Sequence, residues 1–270
     1  MTVDEYLKTT VAALSQAGVE SARLDALILL EDALREDRAI ILAHLERDIP
    51  TPLAAELYKK RTQREQHVPL AYIRGHAPFY GREFTVNEHV LVPRPETEAM
   101  IDLLKKLAPT GRHLRIADIG TGSGALGVTA ALELPDTKVG LYDIDVTALA
   151  VARQNTQRHR VAATCARHDL LAGISTLHDI LLANLPYVPE HVRLNKAAKH
   201  EPQQAIFSGP DGLDHYKRFW AQAEALPHKP GLIITESLPS RHHTNALLAR
   251  AAGYYLVEHQ GFAQAFQSMD

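Results

Sequence analysis

Four glycines, Gly120, Gly122, Gly124 and Gly127, fall within "IADIGTGSGALG" at residues 116 to 127. Glycines there let a turn adopt dihedrals closed to other residues and let a ligand lie against bare main chain. The apolar run before them and the helical pattern after them mark a strand-to-helix turn, whose amides offer donors to an acidic or polar group. Asp143, in "GLYDIDV", stands at the end of the next strand, where a carboxylate can accept both ribose hydroxyls of a nucleoside. A second unusual stretch, "ANLPY" at residues 183 to 187, directly follows "HDILL". A strand ending in this way combines a side-chain amide, a residue without a backbone donor and a ring with a polar tip.

The glycine turn fits two templates. Gly122, Gly124 and Gly127 make the GxGxxG fingerprint of dinucleotide sites, whereas Gly120, Gly122 and Gly124 make the GxGxG turn of S-adenosylmethionine-dependent methyltransferases. Asp143 serves either ligand. Asp118 separates them better, because a carboxylate inside a strand is costly unless paired. Either a methionyl ammonium group or the donors of the glycine turn can partner it, and the GxGxG template requires it. Asp169, after "CARH", is either a contact to an adenine amino group or a solvated loop acid, and Leu170 is grouped with it. Asp145 reads as a helix N-cap or loop acid rather than a ligand. The fifteen histidines include no HExxH or Cys/His set with ligand spacing, so no metal is expected.

The bulk numbers are those of an ordinary globular protein. The chain has 270 residues, 46% hydrophobic and 23% charged, with a formal charge of −3. Such a balance argues against a dedicated nucleic-acid binder, though "KKRTQR" at 59 to 64 is weakly basic. One cysteine excludes an internal disulfide and suits a reducing compartment. With neither an apolar leader nor a membrane-length apolar run, the expectation is a soluble, cytoplasmic protein.

The elements that must position these residues divide the chain at about residue 75. Residues 1–75 read as a helical bundle. Thr2 and Glu5 form a capping box, Gly18 suits a helix stop, and Ser21 opens a helix with Leu24, Leu27, Ile28 and Leu34 on one face. Thr51 and Pro52 supply a cap and an N1 proline. Residues 76–92 read as a β-hairpin linker around Gly81 and Asn87. Residues 93–270 alternate strand and helix, beginning with a helix opened by Pro95 and closing on one or two further strands. That alternation predicts an α/β domain with a doubly wound, mostly parallel sheet, which binds ligands at the carboxyl ends of its strands.

With these residues placed, the chain resembles the PrmC/HemK family, the N5-glutamine methyltransferases of peptide chain release factors. The matching pieces are "LVPRPETE" at 91 to 98, the glycine turn, Asp143, "ANLPYVP" at 183 to 189, "HEPQQAI" at 200 to 206 and "GPDGLD" at 209 to 214. The resemblance implies a class I methyltransferase fold with an antiparallel C-terminal strand, and an N-terminal helical domain that recognises substrate. It also implies S-adenosylmethionine as cofactor and the glutamine of a release factor's Gly-Gly-Gln motif as methyl acceptor. Gly120, Thr121, Gly122, Ser123, Gly124, Asp118, Asp143, Asp169, Leu170 and Asn184 would then hold the cofactor. Asn184, Leu185, Pro186 and Tyr187 would frame the glutamine, with Arg94 and Glu96 in the pocket wall. Glu201 and Pro202 would brace the substrate loop from behind. Two departures stand out. Leu185 replaces the first proline of the usual Asn-Pro-Pro-Tyr, which predicts a working but less constrained loop. The stretch "EHQGFAQAFQSMD" lacks the Gly-x-x-Arg segment of the last hairpin.

The chemistry suits these groups. An amide nitrogen is a poor nucleophile, and its lone pair must be aligned with the carbon–sulfur bond. The Asn184 side-chain oxygen and the Leu185 carbonyl can each accept one amide hydrogen and favour the charge that develops on nitrogen. Pro186 stiffens the loop, and Tyr187 can cover the amide. No general base is required before transfer. The rival readings are an adenine-N6 methyltransferase acting on RNA or DNA, for which the NLPY spelling also occurs; an NAD-dependent oxidoreductase; and an inactive methyltransferase-like binding module. The preferred reading expects release factors as partners, no membrane, no stable nucleic-acid binding and a monomer.

Overall fold

A computed structural model describes residues 1–269, so Asp270, the last residue of the expected catalytic domain, lies outside the described residues. The chain falls into two compact units. The smaller takes Met1–Gly75 together with Leu194–His200, and the larger takes the remaining described residues.

The smaller unit is helical: α1 (Val3–Gln16), α2 (Ala22–Leu34), α3 (Arg38–Ala43), α4 (Thr51–Glu65) and α5 (Leu70–Arg74). The capping box forms, with Glu5 N donating to Thr2 Oγ1 and Thr2 N to Glu5 Oε2. The buried face of α2 differs from the expected one. Leu24 is 46% exposed, while Ala26, Leu27, Leu29 and Leu30 are buried with Asp25. A helix apolar nearly all round has no single stripe, and the 2.6 Å ion pair from Arg64 Nε makes burial of Asp25 tolerable. At α4 the cap is Pro50, with Thr51 already helical and Pro52 in the first turn. The "KKRTQR" run is largely neutralised by its own unit, as Lys60 pairs with Glu56, Arg61 with Glu65 and Arg64 with Asp25.

The larger unit opens with the hairpin β1 (His76–Phe79) and β2 (Arg82–Thr85). Pro95 opens a 3-10 turn, Pro95–Thr97, and α6 starts only at Glu98 (Glu98–Leu107), so the expected single helix is split. Then follow β3 (Arg115–Ile119), α7 (Ala125–Glu133), β4 (Lys138–Asp143), α8 (Val146–Arg158), β5 (Ala163–Arg167) and β6 (Ile180–Ala183). The remaining elements are α9 (Asp214–Glu224), β7 (Leu232–Glu236), α10 (His242–Ala251), β8 (Tyr254–Gln260) and β9 (Ala263–Ser268).

The sheet order is β5-β4-β3-β6-β7-β9-β8. Its pairs from β5 to β7 are parallel, and β9 runs antiparallel to both its neighbours. Helices cover both faces, so β6 is an unbroken apolar run, β7 is apolar up to Ile234 before ending in Thr235 and Glu236, and both are buried throughout. The closing hairpin forms without the Gly-x-x-Arg segment. Gln264 on β9 is fully buried and accepts from Asn245 Nδ2 at 3.0 Å, keying that strand into place. The order in which strands are added reverses between β3 and β6, which sets a ligand crevice outside their carboxyl ends.

Candidate active site

The glycine turn leaves β3 at that crevice. Asp118 is 1% exposed, and its Oδ2 accepts from Thr121 Oγ1 at 2.6 Å and from Gly127 N at 2.9 Å. Both donors come from the turn and the helix behind it. Burial pushes the Asp118 carboxyl up to about 6, with the Thr121 and Gly127 donors opposing the shift. Gly127 has no room for a side chain: a Cβ there would sit 2.3 Å from Leu141 Cδ2 and 2.9 Å from Asp118 Oδ2. Gly120 (φ +69°) lies against the second motif, its Cβ position 3.1 Å from Leu185 Cδ2.

Asp143 closes β4 beside this turn. Its oxygens accept from Gly122 N at 2.9 Å and Asp145 N at 3.0 Å, and the residue lines the crevice. Asp145 caps α8 through Thr147 N at 2.8 Å, the N-cap role read from its sequence. Asp169 lies on the far side, where Oδ2 pairs with Arg218 at 2.5 Å, and the neighbouring Leu170 takes a left-handed conformation (φ +55°).

The "ANLPY" loop leaves β6 and is held from three sides. Asn184 Nδ2 donates to Thr97 Oγ1 at 3.0 Å, which leaves Oδ1 as the accepting end of that amide. Leu185 is 2% exposed, and its N–H donates to Tyr216 Oη at 3.3 Å. Tyr187 donates its hydroxyl to Glu236 Oε1 at 2.9 Å. The "GPDGLD" segment packs against the same loop, since a Cβ on Gly212 would fall 2.4 Å from the Tyr187 carbonyl oxygen. Beyond the loop, Val188 pairs with Ile206 and Ser208 in a short parallel bridge, so "HEPQQAI" anchors the loop's exit.

A cleft of about 280 Å³ gathers these groups. Asp118, Gly120, Thr121, Gly122, Ser123 and Asp143 line one part; Asp169, Leu170, Asn184, Leu185, Pro186 and Arg94 line the rest. Three expected residues are placed elsewhere. Gly124 packs on Ala152, Glu96 is exposed, and Tyr187 stands beside the wall with its hydroxyl tied inward. Glu201, 5% exposed, holds Arg94 by two contacts of 2.7 and 2.8 Å and stiffens the cleft wall. The sequence reading gave no part to Thr97, Tyr216 or Glu236. Thr97 lay inside the quoted "RPETE" segment, but Tyr216 and Glu236 sit in an ordinary helix and strand end and carry no local signal. Among the described residues, no group of three or more His, Cys, Asp or Glu is arranged to hold a metal ion.

The two units match two family descriptions, the PrmC N-terminal domain over residues 5–75 and the methyltransferase small domain over residues 96–205. The release factor glutamine methyltransferase of Moorella thermoacetica is 36% identical over 264 residues, covering 96% of this chain and 93% of that protein. That of Bacillus subtilis is 38% identical over 234 residues, covering 81% of this chain and 78% of that protein. The chain belongs to the release factor glutamine methyltransferase family. The larger unit of this methyltransferase has the class I S-adenosylmethionine-dependent fold. The hMettl16 catalytic domain bound to a MAT2A hairpin superposes on this chain with a TM-score of 0.56 at 14% identity, covering 82% of each chain. The Lactobacillus delbrueckii ribosomal protein L11 methylase gives 0.51 at 15% identity, covering 72% of this chain and 89% of that one. The methyltransferase's cofactor is S-adenosylmethionine, and the cleft fits it: side-chain-free main chain at Gly120 and Gly122 adjoins a strand-end carboxylate at Asp143.

Proposed function

We propose that this chain transfers a methyl group from S-adenosylmethionine to the side-chain amide nitrogen of the glutamine in a release factor's Gly-Gly-Gln motif. The observation that carries the reading is the bond from Asn184 Nδ2 to Thr97 Oγ1, 3.0 Å long, which fixes the asparagine with its oxygen available as an acceptor. S-adenosylmethionine supplies an electrophilic methyl group on a sulfonium. Gly120, Thr121, Gly122, Ser123 and Asp118 shape its methionyl end of the cleft. Asp143 would accept from the ribose, and Asp169 and Leu170 would border the adenine.

Asn184 Oδ1 and the Leu185 carbonyl each take one hydrogen of the substrate amide. Two fixed acceptors would orient the amide nitrogen for attack and stabilise the positive charge that grows there. Pro186 limits the loop's freedom, and Tyr187 sets its far end through Glu236. Arg94, held by Glu201, forms the cleft wall on the substrate side. The helical unit is assigned the recognition of the release factor. The chain acts as a monomer in the cytoplasm, without stable nucleic-acid binding. Among the described residues no helix is long and apolar enough to cross a membrane.

Incubation with tritiated S-adenosylmethionine and either a release factor or ribosomal RNA tests this reading. Label is expected in the release factor, at its glutamine. Label in RNA alone would establish the adenine reading instead.

A further inference from the structure

We propose that the Tyr216 hydroxyl is a positioning group for methyl transfer, supplying the constraint that a proline ring at residue 185 would otherwise provide. The proposal rests on the reading that Leu185 offers its carbonyl to the substrate amide. Pro186 already restricts the ψ angle of residue 185 to extended values, which leaves φ of Leu185 as the loose dihedral. A proline at 185 would lock that φ through its ring. Leucine does not, but it keeps an N–H, and this N–H donates to Tyr216 Oη at 3.3 Å.

The anchor is rigid. Tyr216 has no exposure and packs edge-on against Phe219, with ring centroids 6.5 Å apart. Its hydroxyl donates to the main-chain oxygens of Ala183, at 3.1 Å, and of Glu236. A phenol has one proton and can also accept. The two carbonyls therefore share the proton, and an oxygen lone pair receives the Leu185 amide. Every partner is main chain, at the last residues of β6 and β7 and the second residue of the loop. The position of Leu185 is thus referred to two sheet strands rather than to mobile side chains. The Leu185 side chain adds a second fixed point by packing against Gly120, the first glycine of the cofactor turn. The expectation of a less constrained loop gives way to a loop constrained by different means.

The test uses the full chain and the variants Y216F, L185P and their double. Removing the hydroxyl should lower kcat/KM for a release factor by about tenfold or more, while cofactor Kd stays within about twofold, because only the acceptor geometry loosens. L185P should cost less in the Y216F background than in the wild type, since the bond it removes is already gone. A purely structural tyrosine would shift cofactor affinity equally and leave the two substitutions additive. Amide exchange by NMR reads the bond without reference to turnover. The Leu185 amide should exchange slowly in the wild type and about tenfold or more faster in Y216F. Wild-type exchange at the rate of an open loop amide overturns the proposal even if Y216F does not fold. Unchanged exchange in a folded Y216F, or strict additivity, overturns it as well. Failure of the wild type to methylate any release factor would count against the proposed reaction, with the exchange result still deciding the brace.

Discussion

The Tyr187 hydroxyl donates to Glu236 Oε1 across 2.9 Å, joining the loop after β6 to the last residue of β7. Glu236 has no exposure, and burial pushes its carboxyl above the usual range, with the Thr97, Tyr187 and Asn184 side chains opposing that shift. A carboxylate is thus built into the floor beneath the substrate loop, where it fixes the ring at the loop's far end.

Removing the donor should expose the cost of that arrangement. Y187F is expected to lose about 1–3 kcal/mol of stability, because a buried acceptor is left without its partner. E236Q keeps an acceptor for Tyr187 and abolishes the charge. Its stability in urea should exceed that of the wild type increasingly as the pH rises above the ordinary glutamate range. The sign follows from the upward direction of the shift: a carboxyl raised by burial gives its full contribution at low pH and loses it on ionisation. Parallel urea curves at all pH values would refute the assignment.

Asp118 makes a sharper pH prediction. Its carboxyl is raised from 3.8 to about 6 by burial. Its contribution to stability is complete below the unfolded value and lost as the pH rises through about 6. Two pH units correspond to roughly 3 kcal/mol at most. The difference in unfolding free energy between wild type and D118N should therefore change between pH 4 and pH 7, with the wild type losing ground. Calorimetry should also show proton release on cofactor binding near pH 6, abolished in D118N.

Asn184 and Thr97 should act as a pair in catalysis. N184A is expected to keep cofactor affinity within a few-fold and to lose about a hundredfold or more in turnover, the usual effect of removing one preorganised electrostatic group. T97V removes one of the asparagine's two anchors and leaves Glu236 as the other, so a smaller loss, about tenfold, is expected with the same cofactor Kd. Radiolabel transfer and isothermal titration separate the two quantities. Full turnover in N184A would remove it from its assigned role.

Gly212 offers a test that removes no polar side chain. It holds φ +77°, and a Cβ there would meet the Tyr187 carbonyl oxygen at 2.4 Å. G212A should cost about 1–3 kcal/mol in strain and displace the loop, lowering turnover more than cofactor binding. Thermal unfolding together with kinetics would show whether the two effects travel together.

Local patterns were legible. The alternation of strand and helix, the capping box at Thr2, the glycine turn and the strand ending at Ala183 are written in short windows of sequence. Asp143 and Asn184 could be placed because strand ends in such sheets converge. What the windows hid was non-local. Glu236 reads as one acid after an apolar run, and Tyr216 as a core aromatic of an amphipathic helix. Only the sheet order brings both beneath residues 184 to 187. Glu96, two residues from Arg94, is exposed on a 3-10 turn, yet its charge acts on the Tyr187 hydroxyl and the Glu236 carboxyl beneath the loop. On α2, Leu24 misled because a helix apolar on most sides is oriented by its partners, here by Arg64 reaching Asp25.

The placement of β9 between β7 and β8 has a consequence for how the protein is made. Synthesis runs from the amino end, so β7 and β8 are both complete before the strand that separates them has left the ribosome. Until it does, β7 carries an open edge one strand away from the substrate loop, a site for mispairing with another chain. Catalytic competence should therefore appear abruptly, when Gln264 reaches its slot beside Asn245, rather than accumulating as the chain lengthens. A nascent chain stalled before Ala263 should remain dependent on chaperones, although every residue of its active site has already been synthesised.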